Sequence, residues 1–325
     1  MNKQSERLAV AEEPIPGRQL LIASTGGHLA QLAKWAPRIG AASDSLWVTF
    51  DSAQSRSLLR DRRVLYVPYV APRDWRTALK AFKLLTRTID WKSEDFTSAV
   101  TTGAAVGLPS LIAARLHRVP CFYFESVSRV QGPSLTGRMV AVDPWIRTSC
   151  QYEHWANSRW KYRGSLFDSY AVEQRTHVPQ PKLFVTVGTI RPYRFDALVD
   201  AVLSSGLADE RTVWQLGVTT RSGLPGHAVP ELRQDEFERA AREADVVITH
   251  SGVGTLMELL DLGVYPVVVP RRAERAEHID DHQTQVAGVL AARGIASVSE
   301  VASLSASTIR DASGFKINRG GVGQL

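Results

Sequence analysis

Two short glycine turns carry the residues of this 325-residue chain best suited to chemistry. The first, Ser24-Thr25-Gly26-Gly27-His28, lies between a short apolar run at 19–24 and an apolar stretch of helical spacing at 29–35. That order reads as strand, turn, helix. Glycines there let the backbone approach an anion, and the free N–H groups and dipole of the helix favour negative charge. A histidine opening such a helix can reach a group held over the turn. An ordinary tight turn beside a surface histidine uses the same residues, and that reading stays open. No Gly-Lys-Ser/Thr and no Gly-x-Gly-x-x-Gly occurs at this turn, which excludes a P-loop and a dinucleotide fingerprint.

The second turn, His250-Ser251-Gly252-Val253-Gly254-Thr255, follows the apolar run 244–249 and is more specific. Gly252 and Gly254 free the backbone, and Ser251 and Thr255 add hydroxyl donors at a helix start. Together they form a diphosphate cradle that needs no metal. Glu258 falls beside the cradle, away from Leu256, Leu259 and Leu260. A carboxylate there repels phosphate but accepts hydrogen bonds from two ribose hydroxyls; a solvated surface Glu is the alternative. Further on, Arg271, Arg272 and Arg275 precede Asp280-Asp281-His282-Gln283. Asp281 and Gln283 either cap the following helix or bind the hydroxyls of a sugar beyond the diphosphate. A metal site built from His278, Asp281 and His282 lacks zinc-protease spacing, and no Asp-x-Asp occurs, so no metal or other cofactor is expected.

Thr101-Thr102-Gly103 and Phe124-Glu125-Ser126 each end a predicted strand, at the sheet edge where open α/β folds collect ligands. The loop after them holds Arg129, Ser134, Gly137 and Arg138, which suits either a pyrophosphate or plain solvent.

The elements that position these turns alternate. Strands are expected at 46–50, 64–67, 98–101 and 119–124, with helices at 74–89 and 104–117 between them. After an aperiodic stretch closing on Val178-Pro179-Gln180-Pro181, the pattern restarts at 183–187, which runs into Gly188-Thr189. Helices are expected at 195–203, 237–242 and 278–292, and strands at 212–216, 244–249 and 264–269, with Gly263 stopping the helix that carries Glu258. Strands alternating with helices imply parallel sheets, and the chain divides into an N-terminal Rossmann-like domain, 18–165, a linker, 166–182, a C-terminal domain, 183–305, and a flexible tail, 306–325. The fold class is α/β, two Rossmann-like domains facing a cleft.

Composition sets the outer limits. With 44% hydrophobic and 22% charged residues the chain is neither disordered nor fibrous. A net charge of +6 suits an anionic partner. Two cysteines, Cys121 and Cys150, are too few for a disulfide framework and read as small core residues. Residues 1–17 lack the apolar core of a signal peptide, and no run is long enough to span a membrane, which gives a cytoplasmic or peripheral protein. No basic aromatic module points to nucleic acid.

These motifs resemble a known enzyme family. Ser24 to Leu29, and Phe124-Glu125-Ser126 with Ser134-Leu135-Thr136-Gly137-Arg138, are similar to the acceptor-side subunit of a two-subunit glycosyltransferase. Val187-Gly188-Thr189, His250 through Glu258, and Asp281-His282-Gln283 are similar to its donor-side subunit. That pair adds the second N-acetylglucosamine to dolichol pyrophosphate in eukaryotes and acts as an exopolysaccharide β-glucuronosyltransferase in bacteria. The chain looks like both subunits fused over residues 18–300, and is more distantly similar to the family 28 transferase of peptidoglycan lipid-precursor synthesis. It lacks the acceptor subunit's membrane-anchoring N-terminal helix, and 152–170 is richer in aromatics and arginine than that pattern.

The resemblance implies a GT-B fold and an inverting transfer from a UDP-sugar, of the glucuronate or N-acetylglucosamine type, to a polyprenyl-pyrophosphate-linked saccharide. It assigns His250 through Thr255 to the donor diphosphate, Glu258 to ribose, Asp281 and Gln283 to the sugar, and Gly188 and Thr189 to donor binding as well. Thr25, Gly26, Gly27, Gly103, Ser126 and Arg129 fall to the acceptor. His28 is the first candidate for general base, being near neutral in pKa, and Glu125 the second. Arg191, Arg194 and Arg271 suit an acidic donor sugar. The lipid acceptor, the charge and aromatics such as Trp75, Trp155 and Trp160 point to an anionic membrane surface at the inner face of the plasma membrane. A UDP-sugar 2-epimerase and a non-catalytic UDP-binding partner are the alternative functions.

Overall fold

The computed structural model describes residues 13–71, 74–189, 191–275, 277 and 282–320. Most of the stretch read for a leader, the last five residues of the expected tail, and His278 and Asp281 lie outside them. The chain divides into two compact units, with the boundary between Leu166 and Phe167.

The first unit is a seven-stranded sheet of β1 (Gln19–Ile22), β2 (Leu46–Phe50), β3 (Arg63–Val67), β4 (Ser98–Thr101), β5 (Cys121–Phe124), β6 (Ile146–Cys150) and β7 (Trp160–Tyr162). Its order is β3-β2-β1-β4-β5-β6-β7 and every pairing is parallel. β1, β2, β4 and β5 are buried along their whole length, as expected of strands covered on both faces. Five helices complete the unit: α1 (Gly27–Arg38), α2 (Ala53–Leu58), α3 (Trp75–Thr88), α4 (Gly107–Leu116) and α5 (Leu135–Val140). α1 turns Leu29, Leu32, Trp35 and Ala36 inward, and Trp35 packs on Phe124 with ring centres 4.8 Å apart. Cys121 and Cys150 are buried free thiols, and burial pushes Cys121 up to about 12.

The second unit holds a six-stranded parallel sheet, β11-β10-β9-β12-β13-β14, and a separate two-stranded antiparallel ribbon. Its strands are β8 (Tyr170–Gln174), β9 (Leu183–Thr186), β10 (Val213–Gln215), β11 (His227–Val229), β12 (Val246–Thr249), β13 (Val267–Val268), β14 (Ser297–Val298) and β15 (Phe315–Arg319). The helices are α6 (Asp196–Ser204), α7 (Gln234–Glu243), α8 (Val253–Asp261), α9 (His282–Ala292) and α10 (Ala306–Ala312). Gly263, just past α8, takes φ +82°, the left-handed turn that glycine adopts without strain.

Two expectations need correction here. Residues 306–319 are not a flexible tail: α10 buries Ile309 and Ala312, and β15 pairs with β8 from Phe315–Gln174 to Arg319–Tyr170. For the same reason 166–182 is only in part a linker, since Tyr170–Gln174 is the other strand of that ribbon. Tyr170 also donates to Asp261 at the end of α8, at 2.7 Å, which ties the ribbon to the unit.

Candidate active site

In each unit the strand order reverses direction at one place, between β1 and β4 in the first and between β9 and β12 in the second. Loops leaving the carboxyl ends of such strands splay apart and leave a ligand crevice. The sequence puts Thr25 to His28 after β1 and Thr102-Gly103 after β4. It puts Gly188 after β9 and His250-Ser251 after β12. Each glycine turn therefore stands at a switch point of its own sheet.

At the first site Gly26 precedes α1 with φ +87°, and a Cβ added there would meet nothing within 4 Å. The glycine serves the backbone angle, and the space beside it is open. The N–H of Gly26, expected to face an anion, is taken: Gln54 Oε1 accepts it at 2.5 Å, while Gln54 Nε2 donates to the Gly26 carbonyl at 3.2 Å. The amides of Gly27, His28 and Leu29 have no acceptor among the described residues and remain as donors.

His28 is half-buried, and its Nδ1 lies 2.8 Å from the Thr102 carbonyl. A carbonyl only accepts, so in the neutral ring the proton sits on Nδ1 and Nε2 keeps its lone pair. Thr102 Oγ1 returns a bond to the His28 carbonyl at 2.9 Å. Burial lowers the imidazole pKa, the Thr102 bond opposes it, and the Arg129 cation adds to the lowering. Gly103 is required beside the ring: at φ +109°, its Cβ would stand 2.7 Å from Tyr123 Oη and 3.4 Å from His28 Cε1.

Glu125 takes a different part from the one expected. Its side chain is buried, and it accepts from Ser126 N at 3.0 Å, Ser134 N at 2.8 Å, Ser134 Oγ at 3.1 Å and Tyr123 Oη at 3.2 Å. Burial raises its pKa against those donors. With both oxygens engaged, the carboxylate clamps the 126–134 loop and is not exposed as a base. Gln31 continues the clamp, giving Nε2 to Ser126 Oγ at 2.9 Å and accepting the Val127 N–H at 2.8 Å. Arg129 hangs from this loop half-buried, its guanidinium without a hydrogen bond or ion pair among the described residues. Replacing Glu125 by glutamine leaves a backbone N–H of Ser126 or Ser134 facing an amide N–H whichever way the amide turns. We expect about 1–3 kcal/mol of lost stability in chemical denaturation.

The second site centres on α8. Gly252 caps it without a side-chain bond, and the amides of Val253, Gly254 and Thr255 have no acceptor among the described residues. Ser251 Oγ, in a residue only 1% exposed, also has no partner among the described residues. The His250 ring is wedged between two glycines: a Cβ on Gly188 would come 2.6 Å from its Cε1, and one on Gly252 would come 2.2 Å from its Nε2. Thr189 is exposed beyond Gly188. Glu258, half-buried one turn along α8, accepts from Gln234 Nε2 at 2.7 Å and is raised in pKa, first by burial. Its second oxygen is open to further donors.

Gln283 is tied inward. Its Oε1 accepts the N–H of Ser251 at 3.2 Å and of Arg271 at 3.1 Å, which leaves only its Nε2 for a sugar. Arg271 cannot meet an acidic sugar, since it is wholly buried and holds backbone carbonyls. Arg194 pairs with Asp196 at 2.7 Å, and Arg191 is exposed. Among the described residues no cluster of His, Cys, Asp or Glu suits a metal ion.

Sequence reasoning passed over Gln31, Gln54, Tyr123 and Gln234. Gln31 had a signal: it is a polar residue inside the inward stripe of α1. Gln54 and Gln234 had none, being polar residues at helix starts like many others.

Residues 183–311 match the glycosyltransferase family 28 C-terminal domain. No curated protein matches by sequence. The structure resembles that of MurG from Acinetobacter baumannii (20% identity, TM-score 0.55, 90% of this chain and 89% of that one). It also resembles the glycosyltransferase SnogD from Streptomyces nogalater (19%, 0.55, 92% and 93%). A UDP-GlcNAc 2-epimerase from Neisseria meningitidis bound to UDP-GlcNAc shares the architecture at 10% identity and TM-score 0.52, covering 91% of this chain and 97% of that one. Identities this low speak to the fold, while the matched domain speaks to the chemistry. Residues 183–311 are a glycosyltransferase family 28 C-terminal domain, carried on a chain with the two-domain GT-B fold of glycosyltransferases.

Proposed function

We propose that the protein moves a sugar, of the glucuronate or N-acetylglucosamine type, from a UDP-sugar to a polyprenyl-pyrophosphate-linked saccharide with inversion, in exopolysaccharide or cell-envelope glycan synthesis. The observation that carries this reading is the open start of α8, where three unpaired amides adjoin a buried, unpartnered Ser251 hydroxyl at a switch point. Those donors suit the oxygens of a diphosphate. Glu258 is suited to the ribose hydroxyls, and Asp281 with the Gln283 amide to the sugar.

On the acceptor side, Arg129 and the amides of Gly27, His28 and Leu29 suit a pyrophosphate. His28 Nε2 takes the proton of the acceptor hydroxyl as its oxygen attacks the anomeric carbon from the face opposite UDP. The new C–O bond forms as the bond to the β-phosphate oxygen breaks, and the α8 dipole takes up the charge left on UDP. No step calls for a metal.

Thermal unfolding with UDP and a panel of UDP-sugars tests this. Ligand at a hundred times its Kd adds about 2.7 kcal/mol of apparent stability. We expect UDP to raise Tm equally with and without EDTA. A Tm unmoved by UDP and every UDP-sugar overturns the reading. Release of N-acetylmannosamine from UDP-GlcNAc alone, without acceptor, would replace it with the epimerase.

A peripheral place on the inner face of the plasma membrane belongs to the same proposal. No helix of the described residues is long and apolar enough to cross a membrane. The surface support differs from that expected, because Trp160 is 5% exposed and Trp155 packs edge-on against it, 5.4 Å between ring centres. Trp75 alone of the three is open, at 68%, on α3 beside Leu79 and among the exposed cations Arg76, Lys80, Lys83 and Arg87. Binding to vesicles with anionic headgroups is expected to weaken as salt rises, and to weaken further in Lys80→Glu/Lys83→Glu. Binding indifferent to both would remove the membrane from the scheme.

A further inference from the structure

We propose that Arg271 is a positioning residue of the donor site, setting the three loops that meet at the β9/β12 switch point. The inference rests on the donor reading above and goes beyond it, since Arg271 itself touches no substrate. Its guanidinium is wholly buried and spans two loops. Nη1 donates to the Tyr193 and Glu277 carbonyls, each at 2.9 Å, and Nη2 donates to the Val187 carbonyl at 2.5 Å. Val187 immediately precedes Gly188, whose backbone lies against the His250 ring. The backbone N–H of Arg271 shares Gln283 Oε1 with Ser251, the residue before the α8 cap. One residue therefore connects the loop after β9, the loop after β12 and the loop after β13.

The chemistry of the contact is specific to arginine. Three carbonyls in different directions match a flat fork of donors, and a lysine ammonium reaches them only as a point. The guanidinium carbon also lies over the Phe195 ring, 5.2 Å from its centre, a cation–π contact. Its Nε has no partner and no carboxylate makes a salt bridge with it among the described residues; burial lowers its pKa to about 10 against the opposing charge of the nearby Glu277 carboxylate. Burying a cation whose nearest carboxylate acts only at a distance is costly, and an apolar residue fills such a place at less expense. A guanidinium whose hydrogen bonds all go to backbone carbonyls is accounted for by the shape it imposes on their loops.

The test measures UDP affinity by calorimetry, with KM for donor and acceptor, in Arg271→Lys, Arg271→Gln and Arg271→Met, at a temperature where circular dichroism shows each variant folded. We expect Kd for UDP and donor KM to rise tenfold or more in the glutamine and methionine variants and three- to tenfold in the lysine variant, with acceptor KM unchanged. A purely structural arginine would lower Tm and leave these constants within twofold; that result in any folded variant, or an equal rise in acceptor KM, overturns the proposal. If glutamine and methionine do not fold, lysine decides by the same threshold. Failure of the unaltered protein to bind UDP would strike the donor reading itself, and is distinguishable because it appears before any substitution.

Discussion

Replacing His28 by alanine is expected to lower the transfer rate about 10²- to 10⁴-fold, the usual worth of a positioned general base, while UDP binding stays as it was. The expectation follows from the ring's setting. Nδ1 is committed to the Thr102 carbonyl at 2.8 Å, and Nε2 has no protein partner among the described residues. A base acts only when neutral, so activity is lost as pH falls through its pKa. Burial and the Arg129 charge both depress that pKa, so the acid limb of the kcat/KM profile, which reports the free enzyme, should lie below the ordinary imidazole value of about 6.5. Removing the cation in Arg129→Gln favours the imidazolium and should move that limb upward in pH, apart from any change in acceptor KM. His28→Ala with undiminished turnover, or an acid limb indifferent to Arg129, would take the histidine out of the chemistry. Glu125 is not a substitute in this scheme, because its two oxygens already receive four donors.

The parts of the fold legible in the sequence are those where one local cause dominates. Runs such as Leu183–Thr186 and Val246–Thr249 are buried throughout and apolar up to a closing threonine because both sheet faces are covered, and Gly188 and Gly252 follow them where loops turn close to a ligand crevice. The β8–β15 ribbon was not legible. Tyr170–Gln174 and Phe315–Arg319 are largely exposed, with Glu173, Lys316 and Arg319 charged, and each finds its partner more than 140 residues away. Candidate residues were legible as types, while their partners were not. An arginine in a polar loop looks the same whether it meets solvent or, like Arg271, three buried carbonyls. Gln283 looked like a sugar ligand because its amide offers both a donor and an acceptor; the fold uses the acceptor for two backbone N–H groups. Trp155 and Trp160 were read as surface aromatics, yet they stack edge-on in the β7 region, a contact no spacing announces.

Gly252→Ala should abolish tight donor binding while leaving the first unit untouched. At φ −72° the backbone accepts alanine, so any effect comes from the new methyl carbon. That carbon would stand 2.2 Å from His250 Nε2, far inside contact distance. The ring has little room to retreat, because Gly188 backs it so closely that a Cβ there would also collide, at 2.6 Å. Either the imidazole leaves its slot or the first turn of α8 moves, and both break up the proposed diphosphate cradle. Overpacking of this kind costs about 1–3 kcal/mol in stability. We expect UDP affinity to fall tenfold or more, about 1.4 kcal/mol. Gly288→Ala is the control: it lies within α9, nothing stands within 4 Å of the added carbon, and it should be neutral or stabilising by about 0.5–1 kcal/mol. The double variant His250→Ala/Gly252→Ala separates the two costs. Removing the ring relieves the collision, so stability should return; if His250 helps hold the diphosphate, UDP affinity should not. Recovery of both would mean that the imidazole only fills space, and that the α8 amides hold the donor without it.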